Sequence, residues 1–356
     1  MRALWQKFQL WLYTWLWVLA VSVNSGMRRR RMTHNNAVLG RGFLKIVDNP
    51  EFPENDFFQP GREFPCRLRH GSANYMDDCM RVVRSASIKF ADTRFKSPFD
   101  IEMNTGRRNF FWTAYLFLYC GITRRPTKDG HAYRAYFDNV EGSRVAAKEG
   151  FRRRAESFAK MHFHSQVPLG FQARDGKPRY VKFRLIPGDR GPDTGFAEPT
   201  GVDTPEHLSD FRVLPDETRG RNYLKEEYRE RVTNKGPAEY IFQIALHEVS
   251  PDDSPEILNS NEPWDEATHP WMDLAHVTIN EVLDYRESVL TSFSFANFPR
   301  EIFVLPAKSI HDYNSINYMR RRTGMARRVR LFVTRMFGLP EEYAGDGERN
   351  IRAPGA

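Results

Sequence analysis

Between Glu239 and Val249 the chain is apolar at nearly every position, the pattern of a strand buried on both sides. Three other runs alternate instead. Ile88 and Phe90 alternate with polar neighbours over Ser87–Ala91. Phe99, Ile101 and Met103 alternate with Asp100, Glu102 and Asn104, and that run stops at Asn104-Thr105-Gly106. Val181, Phe183 and Leu185 alternate with Tyr180, Lys182 and Arg184 over Arg179–Ile186. Turn clusters at Arg174–Lys177 and Ser250–Asp253 punctuate these runs. Helical spacing lies between and after them. Phe151, Ala155, Phe158 and His162 predict one helix face. Leu224, Tyr228 and Val232 predict another, which Gly236 can end. Met325, Val329, Phe332 and Met336 form an apolar stripe flanked by Arg327, Arg328, Arg330 and Arg335. Strands mixed with late helices predict an α+β domain on a largely antiparallel sheet or barrel, with a C-terminal helical region. Residues 190–222, rich in Pro, Gly, Asp and Thr, read as a long surface loop, and 341–356 as a loose polar tail.

The 356 residues suffice for one large domain or two ordinary ones, and 40% apolar content supplies a core. The net charge of +8 suits an anionic partner: nucleic acid, a membrane surface, a fatty-acid carboxylate or cofactor propionates. The arginines are spread along the chain, which argues against nucleic acid. Cys66, Cys79 and Cys120 are too few and too scattered for a disulfide framework or a zinc site.

Phe8–Val23 is uncharged and apolar, carries Trp11, Trp15 and Trp17, and precedes Arg28–Arg31. A membrane anchor with the arginines on the cytoplasmic side, a signal peptide, and a start at Met27 with an artefactual leader are the three readings. The first puts the protein at a membrane, facing the cytoplasm; otherwise it is cytoplasmic. The expected division is an apolar segment over 1–26, a folded domain over 27–340 and the tail.

No single motif carries chemistry: there is no phosphate loop, dinucleotide fingerprint, nucleophile elbow or zinc-ligand spacing. His162 and His164, two residues apart, cannot share a helix face, and His247 reads as a satisfied core histidine. The order of motifs is more telling. Arg31-Met32-Thr33-His34 precedes Gly40, Gly42 and an extended run to Val47. Asp48–Phe58 (DNPEFPENDFF), Pro60–His70 (PGREFPCRLRH), Ser87–Asp92 (SIKFAD) and Asp100–Gly106 (DIEMNTG) follow. Lys182–Asp189 (KFRLIPGD), Gln243–Asp253 (QIALHEVSPDD), Thr268–Ala275 (THPWMDLA) and Asp312–Ile316 (DYNSI) continue it. This sequence resembles the catalase-related allene oxide synthases, the heme domains joined to lipoxygenases in corals, in unbroken order from about Arg30 to Arg320.

The resemblance implies a catalase-like antiparallel β-barrel over residues 27–340, heme as cofactor, and a fatty-acid hydroperoxide or other peroxide as substrate. It implies His34 as the distal histidine, Thr33 beside it in place of an apolar residue of true catalases, and Asn104 as the distal asparagine. Arg31 would pair with a heme propionate and Arg320 would be the proximal arginine. A neutral imidazole and an amide can orient a peroxide bond over iron, and Arg67 or Arg69 could receive a carboxylate at the pocket rim.

One position departs. The family pattern puts a tyrosine four residues after the proximal arginine, on the same helix face, where the cation favours the phenolate that ligates iron. Here that position is Gly324. Tyr318 could serve instead, with Arg321 or Arg322 one turn away. Heme could be held with water or another donor in the axial position. Or heme is lost and the old pocket holds an apolar ligand. The expectations are therefore a heme-dependent hydroperoxide-metabolising enzyme and, as the alternative, a heme-free catalase-fold protein that binds a lipid or oxylipin.

Overall fold

The structure is a computed structural model, and it describes residues 1–28, 34, 37–72, 77–124, 133–197 and 204–336, with side chains at 25–28 and 325–335 left aside. Its strands are β1 (Ala37–Ile46), β2 (Glu63–Ser72), β3 (Val82–Lys89), β4 (Asp100–Asn104), β5 (Phe151–Arg152), β6 (Phe163–His164), β7 (Leu169–Gln172), β8 (Pro178–Pro187), β9 (Ala238–Glu248), β10 (Met272–Val282) and β11 (Ile302–Phe303). Its helices are α1 (Arg2–Arg28), α2 (Ala114–Thr123), α3 (Arg134–Asn139), α4 (Glu141–Gly150), α5 (Pro205–Leu208), α6 (Tyr223–Glu230), α7 (Tyr285–Leu290) and α8 (Ser315–Met336).

Eight strands close on themselves in the order β8-β6-β4-β3-β2-β1-β10-β9, and β9 pairs back to β8. All of these pairings are antiparallel. Closure leaves no open edge in the ring. The alternating runs supply inward side chains from each strand: Leu44, Leu68, Ile88, Ile101, Met103, Val181, Phe183, Leu185, Phe242 and Ile244 are among the fully buried residues of one cluster. Phe183 and Phe242 stack at 5.2 Å between ring centres, and Phe57, Phe58, Phe90 and Phe99 plug one end with edge-on contacts. The register of β1 on β10 slips between Arg41 and Gly42, and the Thr278 carbonyl sits where a Cβ of residue 42 would be, so only glycine admits this approach.

The runs predicted as strands overlap β3, β4, β8 and β9, with three of them reaching one or two residues past a strand end, and the helix on Leu224, Tyr228 and Val232 is α6 with a π turn that ends at Gly236. The predicted helix over Phe151–His162 is not there. Phe151–Arg152 pairs with β3 as β5, and only Phe158–Lys160 forms a short 3₁₀ turn. Arg152 is fully buried against Asp193, and Arg154 sits in the left-handed region at φ 56°, so tertiary contacts override a helical spacing there. The C-terminal helix begins earlier than its stripe, at Ser315. Residues 341–356 lie outside the described residues.

α1 crosses the expected boundary at residue 26. Leu10, Thr14, Val18, Val21 and Ser22 are buried, and α1 packs along α8. Trp17 meets Phe117 of α2 edge-on at 5.0 Å. Among the described residues no helix is long and apolar enough to cross a membrane, so the spanning anchor is not supported. Cys66, Cys79 and Cys120 are buried free thiols.

Candidate active site

The period of two on β2, β3 and β4 sorts their side chains. Leu68, His70, Ala86, Ile88, Ile101 and Met103 point into the barrel. Arg67, Arg69, Ser85, Ser87, Lys89, Asp100, Glu102 and Asn104 take the outer face. The register sets Ser85 opposite Asn104, Ser87 opposite Glu102 and Lys89 opposite Asp100. α7, the segment after it and α8 cover this face. Asp100 accepts from the Ser294 amide at 3.0 Å and from Asn297 Nδ2 at 2.8 Å, which fixes that segment against β4.

His34 lies at the Ser85–Asn104 end. Its Nδ1 is 2.9 Å from Ser85 Oγ, and its carbonyl accepts from Arg69 Nη2 at 2.8 Å. Ser85 Oγ also donates to the Gly71 carbonyl at 3.2 Å. A hydroxyl has one proton, so with that proton on Gly71 the serine accepts from the imidazole. The histidine then carries its proton on Nδ1, and Nε2 is the ring's acceptor nitrogen. His34 holds φ 53°, a left-handed backbone uncommon outside glycine and found at functional sites. Asn104 is half-buried between Ser85 and His164, its ladder partners on β3 and β6. Burial pushes the His164 imidazole well below its ordinary range, so it stays neutral beside Asn104. His34 and Asn104, two of the three residues expected to be catalytic, thus lie at the same end of the face: His34 contacts the Ser85 side chain, and Asn104 is the ladder partner of Ser85. Thr33 and Arg31 lie outside the described residues.

The far end of the face is different. Arg320 Nη2 donates to Glu102 Oε2 at 3.2 Å, and its guanidinium lies 4.0 Å above the Phe295 ring. Gly324, one turn on, faces Ser294: a Cβ there would lie 3.0 Å from Ser294 Oγ. Tyr318 is about 200° around the helix from Arg320. It packs against the cluster of Leu10, Ala114, Val167, Ile316 and Met319, with the Arg322 guanidinium 3.5 Å from its ring centre. The structure does not bring Tyr318 to Arg320.

These residues do not fit a tyrosinate-held heme. Residue 324 offers no donor, Tyr318 faces another layer, and the cation that would stabilise a phenolate already has a carboxylate partner. Glu102 also sets an anionic side chain, paired with Arg320, on the face between β4 and α8. The expected rim is not available either. Arg67 is bound by Asp92, Glu287 and Thr291, and Arg69 by the Ser288 and His34 carbonyls. Sequence reasoning passed over Ser85 and Glu102. Both sit at outward positions of alternating strands, which was the one signal that could have found them.

Elsewhere, His247 is satisfied by Asp253 Oδ2 and His269 Nε2, both at 2.9 Å. A pocket of about 360 Å³, measured with its open mouth, is lined by Arg107, His164, Lys182, Trp264, His269 and Trp271. Among the described residues no cluster of acidic, histidine or cysteine side chains could hold a metal ion.

The architecture has close counterparts. A fungal catalase superposes with a TM-score of 0.62 at 15% identity, over 84% of this chain and 60% of that one. The closed eight-stranded antiparallel barrel with its helical cover defines a catalase-fold protein. The allene oxide synthase-lipoxygenase protein of Plexaura homomalla is 40% identical over 294 residues, 82% of this chain and 27% of that protein. The linolenate 9R-lipoxygenase of a Nostoc strain is 26% identical over 264 residues, 71% of this chain and 32% of that protein. The chain belongs to the catalase-related allene oxide synthase family, and it spans a third or less of the length of these two relatives. No family model matches it.

Proposed function

We propose that this domain receives a hydroperoxide at the His34–Asn104 end of the barrel's outer face, with a fatty-acid hydroperoxide as the substrate class. The observation that carries this reading is the contact of His34 Nδ1 with Ser85 Oγ, 2.9 Å; with the Ser85 proton on the Gly71 carbonyl, the imidazole offers Nε2 as an acceptor. The hydroperoxide O–H donates to Nε2, and the Asn104 amide donates to a peroxidic oxygen. Kinship with the coral allene oxide synthase-lipoxygenase protein supports the lipid class.

The departure at Gly324 and the Glu102–Arg320 pair favour the heme-free alternative, in which the domain holds a lipid hydroperoxide or oxylipin without splitting its O–O bond on iron. Heme would supply redox and Lewis-acid chemistry if bound. The test is an absorbance titration with hemin on the full chain and on Gly324→Tyr. Calorimetry with a fatty-acid hydroperoxide runs alongside, on the native chain and on His34→Ala. The expected result is no iron–phenolate spectrum from the native chain and hydroperoxide binding that His34→Ala weakens at least tenfold. A stoichiometric heme in the native protein would overturn the heme-free reading. Hydroperoxide binding indifferent to His34 would overturn the site.

A further inference from the structure

α1 is apolar on two sides. One side is the buried face on the domain. The other carries Leu4, Trp5, Phe8, Trp11, Leu16 and Leu19, each of them 47–73% exposed. At 100° per residue these six fall within a stripe about 140° wide. Scattered exposed apolar residues are ordinary, but a continuous stripe with two tryptophans and a phenylalanine marks a contact surface.

Charge decides what meets it. α1 carries Arg2, Lys7 and Arg28 and no acidic residue. α8, packed along it, carries seven arginines and no acidic residue. These ten positive charges exceed the net +8 of the whole chain, so the remainder is net acidic. Arg320 is paired with Glu102, and the other nine leave α1 and α8, the layer that exposes the apolar stripe, strongly basic in sequence. A second copy docking stripe to stripe would bring two such layers together with like charge. An anionic lipid surface is complementary in both respects: it takes the apolar residues at the acyl boundary and the basic residues at the headgroups.

We propose that α1 is an in-plane membrane-binding helix, lying on an anionic bilayer surface by the stripe from Leu4 to Leu19 while its other face stays docked on the domain. This geometry differs from a spanning anchor, since the buried face belongs to the protein interior. It stands independently of the hydroperoxide reading.

The experiment is co-sedimentation of the full chain with vesicles of phosphatidylcholine alone and of phosphatidylcholine with one-third phosphatidylglycerol. The same assay uses the double variant Trp11→Glu, Leu19→Glu, whose two sites are solvent-exposed and whose thermal unfolding checks the fold. Expected are binding at least tenfold tighter to the anionic vesicles, weakening with salt, and loss of binding in the variant. Absence of binding to either vesicle overturns the proposal. So does a dimer, by light scattering, that the variant dissociates while vesicle binding is absent, since the stripe would then be a homotypic interface.

Discussion

Glu102 and Arg320 meet at 3.2 Å, the carboxylate from the barrel strand β4 and the guanidinium from α8. The contact joins the two elements between which the family's cofactor was expected, and it gives Arg320 a counter-charge that a tyrosinate at residue 324 would otherwise provide. The pair is 38% and 23% exposed, so it is neither a surface pair of negligible worth nor a fully buried one. Glu102→Gln keeps the hydrogen-bond acceptor and removes the charge. It should cost about 1–2 kcal/mol in urea unfolding. The double variant with Arg320→Gln should cost less than the sum of the singles, because the stranded cation is gone.

Gly324 makes a separate prediction about the helix itself. Glycine inside a helix costs about 1 kcal/mol relative to alanine. Among the described residues, the only neighbour within 3.4 Å of an added Cβ is the Ser294 hydroxyl, which accepts from the Ala296 amide at 3.2 Å. Gly324→Ala should therefore stabilise the chain by somewhat less than ~1 kcal/mol. Ser294→Ala removes the close approach together with the hydrogen bond from the Ala296 amide, so the coupling energy between the two substitutions isolates the shortfall. Chemical denaturation of the two singles and the double measures it, and a destabilised Gly324→Ala would mean that the Ser294–Asn297 segment cannot move.

The barrel was legible because alternation is a physical consequence of a half-buried strand. The runs at 87–91, 99–104 and 179–186 predicted β3, β4 and β8, and the continuous apolar run predicted β9. The ring closure of β8 on β9 was not legible, since register depends on partners far apart in sequence. The helix predicted over Phe151–His162 failed where the buried Arg152–Asp193 pair dictates an extended backbone. At the site, motif order points to His34 and Asn104. Ser85 and Glu102 could not, because a serine or a glutamate at an outward strand position ordinarily faces water. Only the folded chain, with Ser85 opposite Asn104 and 2.9 Å from His34 Nδ1, reveals that the first lies under the histidine. The amphipathic character of α1 was hidden for the opposite reason: with two apolar sides it reads as a uniformly hydrophobic segment.

Ser85 Oγ contacts His34 Nδ1, and the tautomer that follows when Ser85 donates to Gly71 can be measured. Ser85→Ala removes the acceptor from Nδ1–H, so the imidazole loses its preference for the Nδ1-protonated form. Long-range ¹⁵N spectra should show Nε2 as the unprotonated nitrogen in the native chain and a mixed population in the variant. The stability loss should be about 1 kcal/mol, that of one partly buried hydrogen bond. A ring protonated at Nε2 in the native chain would reverse the donor and acceptor roles assigned to the site.

Lys182 provides a test in pH. Its side chain is buried beside Trp264, with the ammonium 4.8 Å from the ring centre and a long contact of 3.4 Å to the Glu262 carbonyl. Burial pulls its pKa down to about 7, against the smaller opposing effect of Glu262. The unfolded chain keeps the proton up to about pH 10.4. Between these values the unfolded state binds more protons than the folded one, so folding stability must rise with pH across the window and fall as pH drops toward 7. Lys182→Met fills the same space without a charge. It should remove that rise, and at pH 6 it should leave the protein as stable as the native chain or more so, since no ammonium is then forced into an aromatic pocket. Urea midpoints at pH 6, 8 and 10 decide it: equal slopes for the two proteins would mean that Lys182 stays charged where it is buried.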